Sequence, residues 1–336
     1  MDPRGFPTSL PEFQRVFPND AACAAYLEAM RWPDGFTCTK CGVVGEPYRF
    51  PKRSSTVLRC RVCQANVSLT AGTVMQKTRT PLSTWFWAAY LATTQTPGQS
   101  ALQFQRQLGL TRYETAFQIL HKMRAGMVRP NRDTIGGEHP VEIDEAFIGG
   151  RTRGEGKGVH HKSMILGFVE VRANKPDAER IAKIEKALSE GRPVRRQTYA
   201  GRIRLVVVPD RLMNTLNRVV PENVTKGTLI RTDGWAGYNE MARLGYRHDP
   251  LTMNGRPERA EAHLPMIHLI FSNLKTWIQG THHGIGQQHL QTYLNEFTFR
   301  FNRRFYPMTA FNSVLGIAAH TVPPTYAELY SGERAA

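Results

Sequence analysis

Four of the five cysteines form two close pairs with the spacing of metal ligands. Cys38 and Cys41 are separated by two residues, and Cys60 and Cys63 repeat that spacing after a gap of 18 residues. Two tight turns of this kind bring four thiolates into a tetrahedron, which is the geometry of a zinc ribbon. Four thiolates leave no open coordination position, so the pattern predicts a structural zinc ion. Cys23 lies on the apolar side of a predicted helix, and we expect it to be a buried thiol.

Two aspartates are placed where neighbouring strands of one sheet would bring them together. Asp144 lies inside the strand-like run Val141–Ile148, and Asp233 follows the run Thr228–Thr232 directly before a glycine. Paired carboxylates can share divalent ions, which activate an attacking oxygen and stabilise the leaving oxygen at phosphorus. Either aspartate alone would more often be a turn or cap residue, so the chemistry depends on the pair. We therefore expect the two carboxylates to lie less than about 10 Å apart.

Hydrophobic patterning predicts the elements that must position these carboxylates. The predicted strands are β-rich runs separated by turns, namely Val141–Ile148, Ser163–Arg172, Arg202–Val208 and Thr228–Thr232. Between the second and third strands, the charged stretch Asn174–Thr198 is either a helix on a loop or an insertion. A short helix is expected in Pro209–Val219, and helical periodicity returns over 263–305. This order favours a mixed α/β sheet with helices on its faces.

The region before the sheet is predicted to be helical over residues 81–130. Gln99–Gly109 and Arg112–Met127 indicate two helices joined by a short turn, with Thr111 and Glu114 as a capping box for the second. Two helices with such a turn resemble a helix-turn-helix, and the alternative is a plain helical linker that packs on the next domain. The candidate DNA contacts on the second helix are Arg112, Lys122 and Arg124.

The charge balance points to a polyanionic partner. The chain has 44 Lys and Arg against 28 Asp and Glu, a formal net charge of +16. Nucleic acid is favoured over an anionic membrane because no basic amphipathic anchor is evident. The charge is also concentrated, since residues 49–132 contain 13 Lys or Arg and a single acid, Glu114. We interpret this stretch as a DNA-facing region, and the alternative is an ordinary solvated surface.

Length and composition set the remaining bounds. A chain of 336 residues with 41% hydrophobic residues can bury a core and is expected to form two or three domains, which excludes wholesale disorder. No apolar run approaches the roughly 20 residues of a membrane span, and the first 30 residues lack a signal-peptide core. Cysteine pairs that serve as metal ligands are typical of a reducing compartment. We therefore expect a cytoplasmic protein with no membrane partner.

Four strings of the sequence occur together in a familiar order. They are RWPDGFTCTKCG from Arg31, VEIDEAFIGG, RTDGWAGY and HLIFSNLKTWIQGTHHGIGQQHLQTYLNEFTFRFNRR. With these strings the chain resembles, over roughly residues 15–325, bacterial insertion-sequence transposases of the ISXO-like, Merlin-related kind. The resemblance implies an α/β, RNase H-like mixed-sheet catalytic domain, preceded by a zinc ribbon and a helix-turn-helix-like DNA-binding region. The implied boundaries are 1–34 for an N-terminal helical segment, 35–75 for the ribbon, 76–135 for the helical region and 136–325 for the catalytic domain.

The resemblance also implies an activity, which is cut-and-paste transposition. Metal-dependent cleavage at terminal inverted repeats would expose a 3′-hydroxyl, and strand transfer would join it to target DNA. The implied cofactors are structural Zn²⁺ and catalytic Mg²⁺ or Mn²⁺. The implied partners are double-stranded DNA and further copies of the chain, in a homodimer or larger synaptic oligomer associated with the bacterial nucleoid. Two alternatives are a DNA-binding regulator with an inactive catalytic domain and a structure-specific nuclease that does not join strands.

The family's catalytic triad can be carried over residue by residue. Asp144 matches the first acid, Asp233 the second, and Asn273 the third ligand, 40 positions after Asp233. The family more commonly has glutamate at this third position. An amide offers one carbonyl oxygen and no charge, so it binds Mg²⁺ more weakly than a carboxylate does. Glu261 and Glu296 are the acidic alternatives.

Other residues of the last string are candidate contacts for DNA or for the site. Lys275 matches the family pattern and is expected to contact a DNA phosphate, and His268 is expected to reach the site from the same helix. Arg300 is a further candidate DNA contact, with solvation as the alternative. The pair His282–His283 is interpreted as a phosphate contact or helix cap, and the alternative is two exposed histidines without a role. The Gly- and basic-rich loop over 149–162 is interpreted as an approach to the DNA backbone or a simple β turn.

Overall fold

The computed structural model describes residues 7–50, 54–129, 131–149, 162–175, 178–194, 197–251 and 263–331. The chain divides into two compact units. The first consists of Met1–Arg132 together with Gly280–Ala336, and the second is Asp133–Gln279. The segment from Gly280 onward thus packs with the N-terminal part of the chain, whereas the sequence-based boundaries assign it to the catalytic domain. Within the described part, no helix is long and apolar enough to cross a membrane.

The elements are numbered in chain order. The N-terminal part of the first unit contains α1 (Leu10–Val16), α2 (Asp20–Arg31), β1 (Tyr48–Phe50), β2 (Ser54–Arg59), β3 (Asn66–Ser68), α3 (Leu82–Thr94), α4 (Ala101–Gln107) and α5 (Tyr113–Ala125). The second unit contains β4 (Val141–Gly149), β5 (Lys162–Ala173), α6 (Ala178–Ser189), β6 (Thr198–Val208), α7 (Met213–Asn223), β7 (Leu229–Asp233), β8 (Arg247–Leu251) and α8 (Pro265–Trp277). The first unit ends with α9 (Leu290–Asn302), α10 (Pro307–Ala318) and α11 (Tyr326–Ser331).

An aromatic cluster forms the core of the first unit. Its rings come from α1, the segment after it, α3 and α10, and belong to Phe13, Phe17, Phe86 and Phe311. Four pairs of these rings have centroids between 4.9 and 6.2 Å apart. The carboxylate of Asp20 accepts the backbone N–H groups of the first residues of α3, at 3.1 and 2.9 Å. This contact satisfies orphan donors at the start of that helix and ties α2 to α3.

The two helices of the predicted helix-turn-helix are present as α4 and α5. The turn between them contains Gly109, whose φ of +60° is readily adopted only by glycine among ordinary residues. The predicted capping box is wrong. The N-cap of α5 is Arg112, and no side chain caps the helix there. The start of this helix is therefore set by packing of its apolar face, which includes Ile119 and Met123, rather than by Thr111.

A five-stranded mixed sheet forms the frame of the second unit. Its strand order is β6-β5-β4-β7-β8, with β6, β5 and β4 antiparallel and with β7 and β8 parallel to β4. The four predicted strands are all present, and the fold is consistent with the RNase H-like class. The fifth strand, β8, is not predicted because its sequence RHDPL lacks apolar alternation. The charged stretch contains α6, a helix with no buried residue.

Helix α8 is held against the sheet by a close approach and a buried cap. A Cβ on Gly167 of β5 would lie 2.7 Å from side-chain atoms of Ile267 and of Phe271, so any larger residue there would displace these two side chains from their packing on the sheet. Glu142 of β4 is fully buried, and its Oε2 accepts the backbone N–H groups of Met266 and Ile267 at 2.7 and 2.9 Å. The carboxylate thereby satisfies two orphan donors and interacts favourably with the helix dipole.

Replacing this cap tests how far it stabilises the second unit. Glu142→Ala leaves two buried N–H groups without acceptors and is expected to lower the free energy of unfolding by about 1–2 kcal/mol. Glu142→Gln keeps a carbonyl acceptor and is expected to lose less. Urea unfolding followed by circular dichroism measures the change, with the exposed Glu185→Ala on α6 as the control. A loss no larger than that of Glu185→Ala would show that the cap contributes nothing.

Candidate active site and zinc ribbon

The four paired cysteines meet in the ribbon formed by β1, β2 and β3. Their sulfur atoms all lie within 4.8 Å of one another, with 3.6 Å between Cys38 and Cys63 and 3.7 Å between Cys41 and Cys60. A tetrahedral zinc ion with Zn–S bonds of about 2.3 Å requires sulfurs about 3.8 Å apart. The cluster therefore fits a structural zinc ion. The fifth cysteine, Cys23, is fully buried, and burial raises the pKa of its thiol to about 12.

The two turns that carry the cysteines have the same backbone pattern. The N–H of Gly42 donates to the carbonyl of Cys38, and the N–H of Gln64 donates to the carbonyl of Cys60. Gly42 and Gln64 occupy equivalent positions, each with a positive φ, +73° and +59°. Backbone N–H groups of Cys41 and Lys40 lower the pKa of the Cys38 thiol to about 6. Backbone N–H groups of Cys63 and Val62 likewise lower the pKa of the Cys60 thiol. The backbone N–H of Val43 lowers the pKa of the Cys41 thiol, but contacts with the other three cysteines and burial raise it to about 12. The turns thus favour the thiolate form that binds zinc at Cys38 and Cys60.

Three carboxylates converge at the centre of the sheet in the second unit. The parallel pairing of β4 with β7 places Val141 beside Ile230, and the same register carries Asp144 to the level of Asp233. Oxygen atoms of Asp144, Asp233 and Glu145 lie within 4.8 Å of one another. The separation of the two aspartates is therefore well below the expected limit. Glu145 is not predicted from the sequence, because strand alternation would place it on the opposite face from Asp144.

Hydrogen bonds hold these carboxylates in place. Asp144 accepts the N–H of Glu145 at 2.8 Å through Oδ1, and its Oδ2 lies 3.1 Å from Nε2 of His268 on α8. The Oδ1 of Asp233 accepts the N–H of Trp235 at 3.1 Å, and the phenol of Tyr238 donates to Glu145 at 2.5 Å. The prediction that His268 reaches the site is confirmed. The string RTDGWAGY supplies both Trp235 and Tyr238, so its residues surround the cluster as well as contribute to it.

Burial and mutual repulsion disfavour negative charge in this cluster. Burial raises the pKa of Glu145 to about 7, the hydrogen bond from Tyr238 opposes that rise, and Asp144 and Asp233 add to it. Burial also raises the pKa of Asp233, and the negative charge of Asp144 adds to that effect. Arg211 is the positive group that lowers both pKa values. A cluster of half-buried oxygens with shared negative charge is the kind of site that binds a divalent cation.

The expected third ligand lies on a different side of α8 from His268. Asn273 is exposed and follows His268 by five residues, which at 100° per residue turns it about 140° around the helix. Lys275 is seven residues after His268, so it lies on nearly the same face as His268, about two turns further along. The role of Asn273 as a ligand stays a prediction. The residue of α8 that contacts Asp144 is His268.

The remaining candidates for the third acid lie elsewhere. Glu261 is outside the described residues, as are residues 150–161 of the Gly-rich loop that was expected to approach the DNA backbone. Glu296 lies in the first unit, where its carboxylate accepts a hydrogen bond from Arg124 at 2.6 Å, with side chains only 2% and 3% exposed. Glu296 thus serves as an internal partner in the first unit.

Two of the arginines expected to contact DNA are inside the first unit. Arg124 is buried between Glu296 and the ring of Tyr293, 4.1 Å from the ring centroid. Arg300 is 13% exposed and donates to the carbonyls at the end of α3 at 2.5 and 2.6 Å. This differs from the expectation for both residues, because their guanidinium groups are engaged in contacts that hold helices together. Lys122 is half-buried, whereas Arg112 and Lys275 are exposed.

Comparison with models of protein families relates this geometry to a known group. The ISXO2-like transposase domain matches residues 135–302, half of the 336 residues, and the transposase zinc-ribbon domain matches residues 18–66. The chain belongs to the ISXO2-like transposase family. In this transposase, the first match contains all three carboxylates and α8, and the second contains the four paired cysteines. Comparisons with curated proteins and with solved structures gave no match.

Family membership confirms the resemblance that the four strings indicate. The transposase has the zinc ribbon and the mixed α/β sheet that the resemblance implies. Its cluster of four thiolates is closed to further ligands, whereas the carboxylate cluster is half-exposed to solvent. The thiolate cluster therefore suits a structural ion, and the carboxylate cluster suits an ion that must remain accessible to a substrate.

Removing one ribbon cysteine tests whether the four paired cysteines bind zinc, and removing the buried Cys23 is the control. Cys60→Ser removes a ligand that has no replacement among the described residues, so purified protein is expected to fall from one zinc ion per chain to well under half. Because the ribbon core is only a few residues, the ribbon should unfold with it. Elemental analysis and limited proteolysis measure the two effects. Cys23→Ala, which removes a buried thiol outside the cluster, should keep one zinc ion per chain, and equal zinc in both variants would contradict the assignment.

Proposed function

We propose that this transposase cleaves DNA strands at terminal inverted repeats and transfers the resulting 3′-hydroxyl into target DNA. The observation that carries the proposal is the convergence of Asp144, Glu145 and Asp233 within 4.8 Å on adjacent strands of a transposase-family domain. Carboxylates so arranged are suited to phosphoryl transfer assisted by divalent ions. The protein's contribution to such a reaction is chiefly positioning and charge stabilisation.

The donor set of the cluster fits Mg²⁺ or Mn²⁺. All three side chains offer oxygen, the ligand that these cations prefer, and their mutual repulsion would be relieved by positive charge. Asp144 and Asp233 would hold the cation from the strands, and Glu145 would complete the set. When bound, the cation would polarise the phosphodiester and stabilise charge on the attacking and leaving oxygens. Asn273 is retained as a proposed weaker ligand on α8.

Neighbouring side chains would prepare the carboxylates for this task. His268 contacts Asp144 and restricts the orientation of its carboxylate, and Tyr238 does the same for Glu145. Arg211 supplies positive charge beside Asp233, which opposes the cost of ionising these groups. We propose that Lys275, on the same face of α8 as His268, contacts the phosphate backbone of the bound strand.

DNA binding would use surfaces outside the cluster. The ribbon and the basic stretch from 49 to 132 are the proposed DNA-binding region, with Arg112 and Lys122 as contacts on α5. Joining two element ends to a target in one event requires two active sites, so we propose a dimer or larger assembly with DNA. The proposed location of such a complex is the bacterial nucleoid.

A strand-transfer assay tests the proposed activity. Wild-type protein, a labelled duplex carrying one terminal inverted repeat, a supercoiled plasmid and Mg²⁺ or Mn²⁺ are expected to give joined product. Asp144→Asn should reduce that product at least a hundredfold, because one carboxylate of the cluster loses its charge. Glu185→Gln, at an exposed position of α6, is a control that changes charge elsewhere and should keep the product. Cleavage without joining would favour a nuclease, and binding without cleavage would favour a regulator.

The pH dependence of cation binding tests the role of Glu145. Its pKa of about 7 lies above the ordinary 4.5, so the group is mostly protonated at pH 6 and mostly ionised at pH 8. A cation must displace that proton at the lower pH, so Mn²⁺ affinity is expected to rise about tenfold from pH 6 to pH 8. Electron paramagnetic resonance of free Mn²⁺ measures the affinity.

The matched variants for this titration are Glu145→Gln and Glu185→Gln. Glu145→Gln cannot titrate and should show at most a twofold rise over the same range, with weaker binding at pH 8. Glu185→Gln removes an exposed carboxylate of α6 and should retain the wild-type rise. A full tenfold rise in Glu145→Gln would remove Glu145 from the ligand set.

A further inference from the structure

An exposed tryptophan stands directly beside the carboxylate cluster. Trp235 is two residues after Asp233, and its backbone N–H is the group that donates to the Asp233 carboxylate. Its side chain is nevertheless 37% exposed, although tryptophan is a residue that burial stabilises strongly. The hydrogen bonds that orient Asp144 and Glu145 come from His268, Tyr238 and backbone rather than from the indole. An exposed indole at this place is therefore available to contact a bound ligand.

The indole is held in one orientation rather than free to move. Its Nε1–H donates to the backbone carbonyl of Arg211 at 3.0 Å, and the guanidinium of Arg211 stacks on the ring, 3.9 Å from its centroid. A Cβ on Gly237 would lie 2.8 Å from both Nε1 and that carbonyl oxygen, so the glycine leaves the space that this hydrogen bond needs. The ring is therefore preorganised, at little further entropic cost for a ligand that stacks on it.

The arginine that stacks on the indole is followed in the chain by two exposed apolar side chains. Leu212 and Met213, which follow Arg211 in the chain, are 61% and 37% exposed. Arg211 is positive and lies close enough to Asp233 and Glu145 to influence both carboxylates. An exposed, flat aromatic ring suits a flat ligand that can stack on it, and a guanidinium suits a phosphate. A nucleotide presents these two chemistries together.

Duplex DNA cannot use such a surface while its bases remain paired and stacked. A base becomes available only when the strand is frayed, single-stranded or turned out of the helix. Since the phosphate to be attacked must lie against Asp144 and Asp233, the base beside it is the one within reach of Trp235. We propose that Trp235 stacks on an unpaired base next to the reacting phosphate, and that Arg211 contacts the adjoining phosphate. This inference rests on the proposed function for the placement of the strand.

Binding of two matched DNA probes tests the inference without any cleavage step. One probe is a duplex with a four-nucleotide 3′ overhang carrying 2-aminopurine, and the other is the same duplex with a blunt, fully paired end. In buffer without added divalent ions, wild-type protein is expected to bind the overhang probe about tenfold more tightly and to quench its fluorescence. Trp235→Ala should lose both the preference and the quenching, and Trp235→Phe should keep most of each.

Two further variants separate stacking from general effects. Tyr306→Ala removes an exposed aromatic ring in the first unit and should keep the preference and the quenching. Arg211→Gln should weaken binding of the overhang probe and reduce the slope of log affinity against log salt by about 0.7, the effect of one lost single-strand phosphate contact. Thermal melting of each variant establishes that it is folded before binding is compared.

The outcomes distinguish this inference from the proposed function. Equal affinity of wild-type protein for the two probes, or a folded Trp235→Ala that retains quenching, would overturn the stacking role. If the quenching depends on Trp235 but the protein neither cleaves nor joins strands, the stacking role is supported and the proposed activity is overturned. Cleavage and joining that proceed unchanged in Trp235→Ala, with no probe preference in wild-type protein, would support the activity alone.

Discussion

The second unit must accommodate the electrostatic repulsion among three carboxylates whose oxygens lie within 4.8 Å of one another. Half-burial makes this repulsion more costly than it would be in water, as the raised pKa values of Glu145 and Asp233 indicate. The surrounding side chains reduce that cost without removing it. Arg211 adds positive charge, Tyr238 donates to Glu145, and a nitrogen of His268 lies beside Asp144. A site with residual negative charge and fixed oxygens is suited to a cation that neutralises it.

The sheet and α8 convert distant sequence positions into this arrangement. Parallel pairing of β4 with β7 brings two aspartates to the same level, although 89 positions separate them in the chain. Buried Glu142 caps α8 from β4, two residues before Asp144, so the helix that carries His268 is anchored to the strand that carries the carboxylate. Gly167 leaves space for the side chains of that helix that pack on the sheet. Support for the site is thus built from the same strands that form it.

The ribbon and the first unit show two other uses of charge. In the ribbon, a very small core that includes Phe36, Leu58 and Val67 is joined to four thiolates, so a metal ion would supply much of the folding energy. In the first unit, Arg124 and Arg300 are directed inward in a chain with a net charge of +16. Buried guanidinium groups need partners, and Glu296 and the carbonyls at the end of α3 supply them. Net charge therefore indicates a polyanionic partner for the chain but does not identify which arginines face it.

The sequence alone determined the features that depend on local spacing and periodicity. The cysteine pairs, the four apolar strands and the position of Asp144 and Asp233 at strands all follow from short-range pattern, because thiolate turns and strand alternation need only a few neighbouring residues. The sequence did not reveal Glu145, whose side chain joins its neighbour's despite strand alternation, or strand β8, whose polar residues lack a pattern. The sequence-based expectation that Arg124 and Arg300 face DNA differs from the structure, as does the expected side-chain cap at the start of α5. Those features were decided by tertiary structure, because burial, long-range charge pairing and helix packing depend on residues that the chain brings together only when it folds.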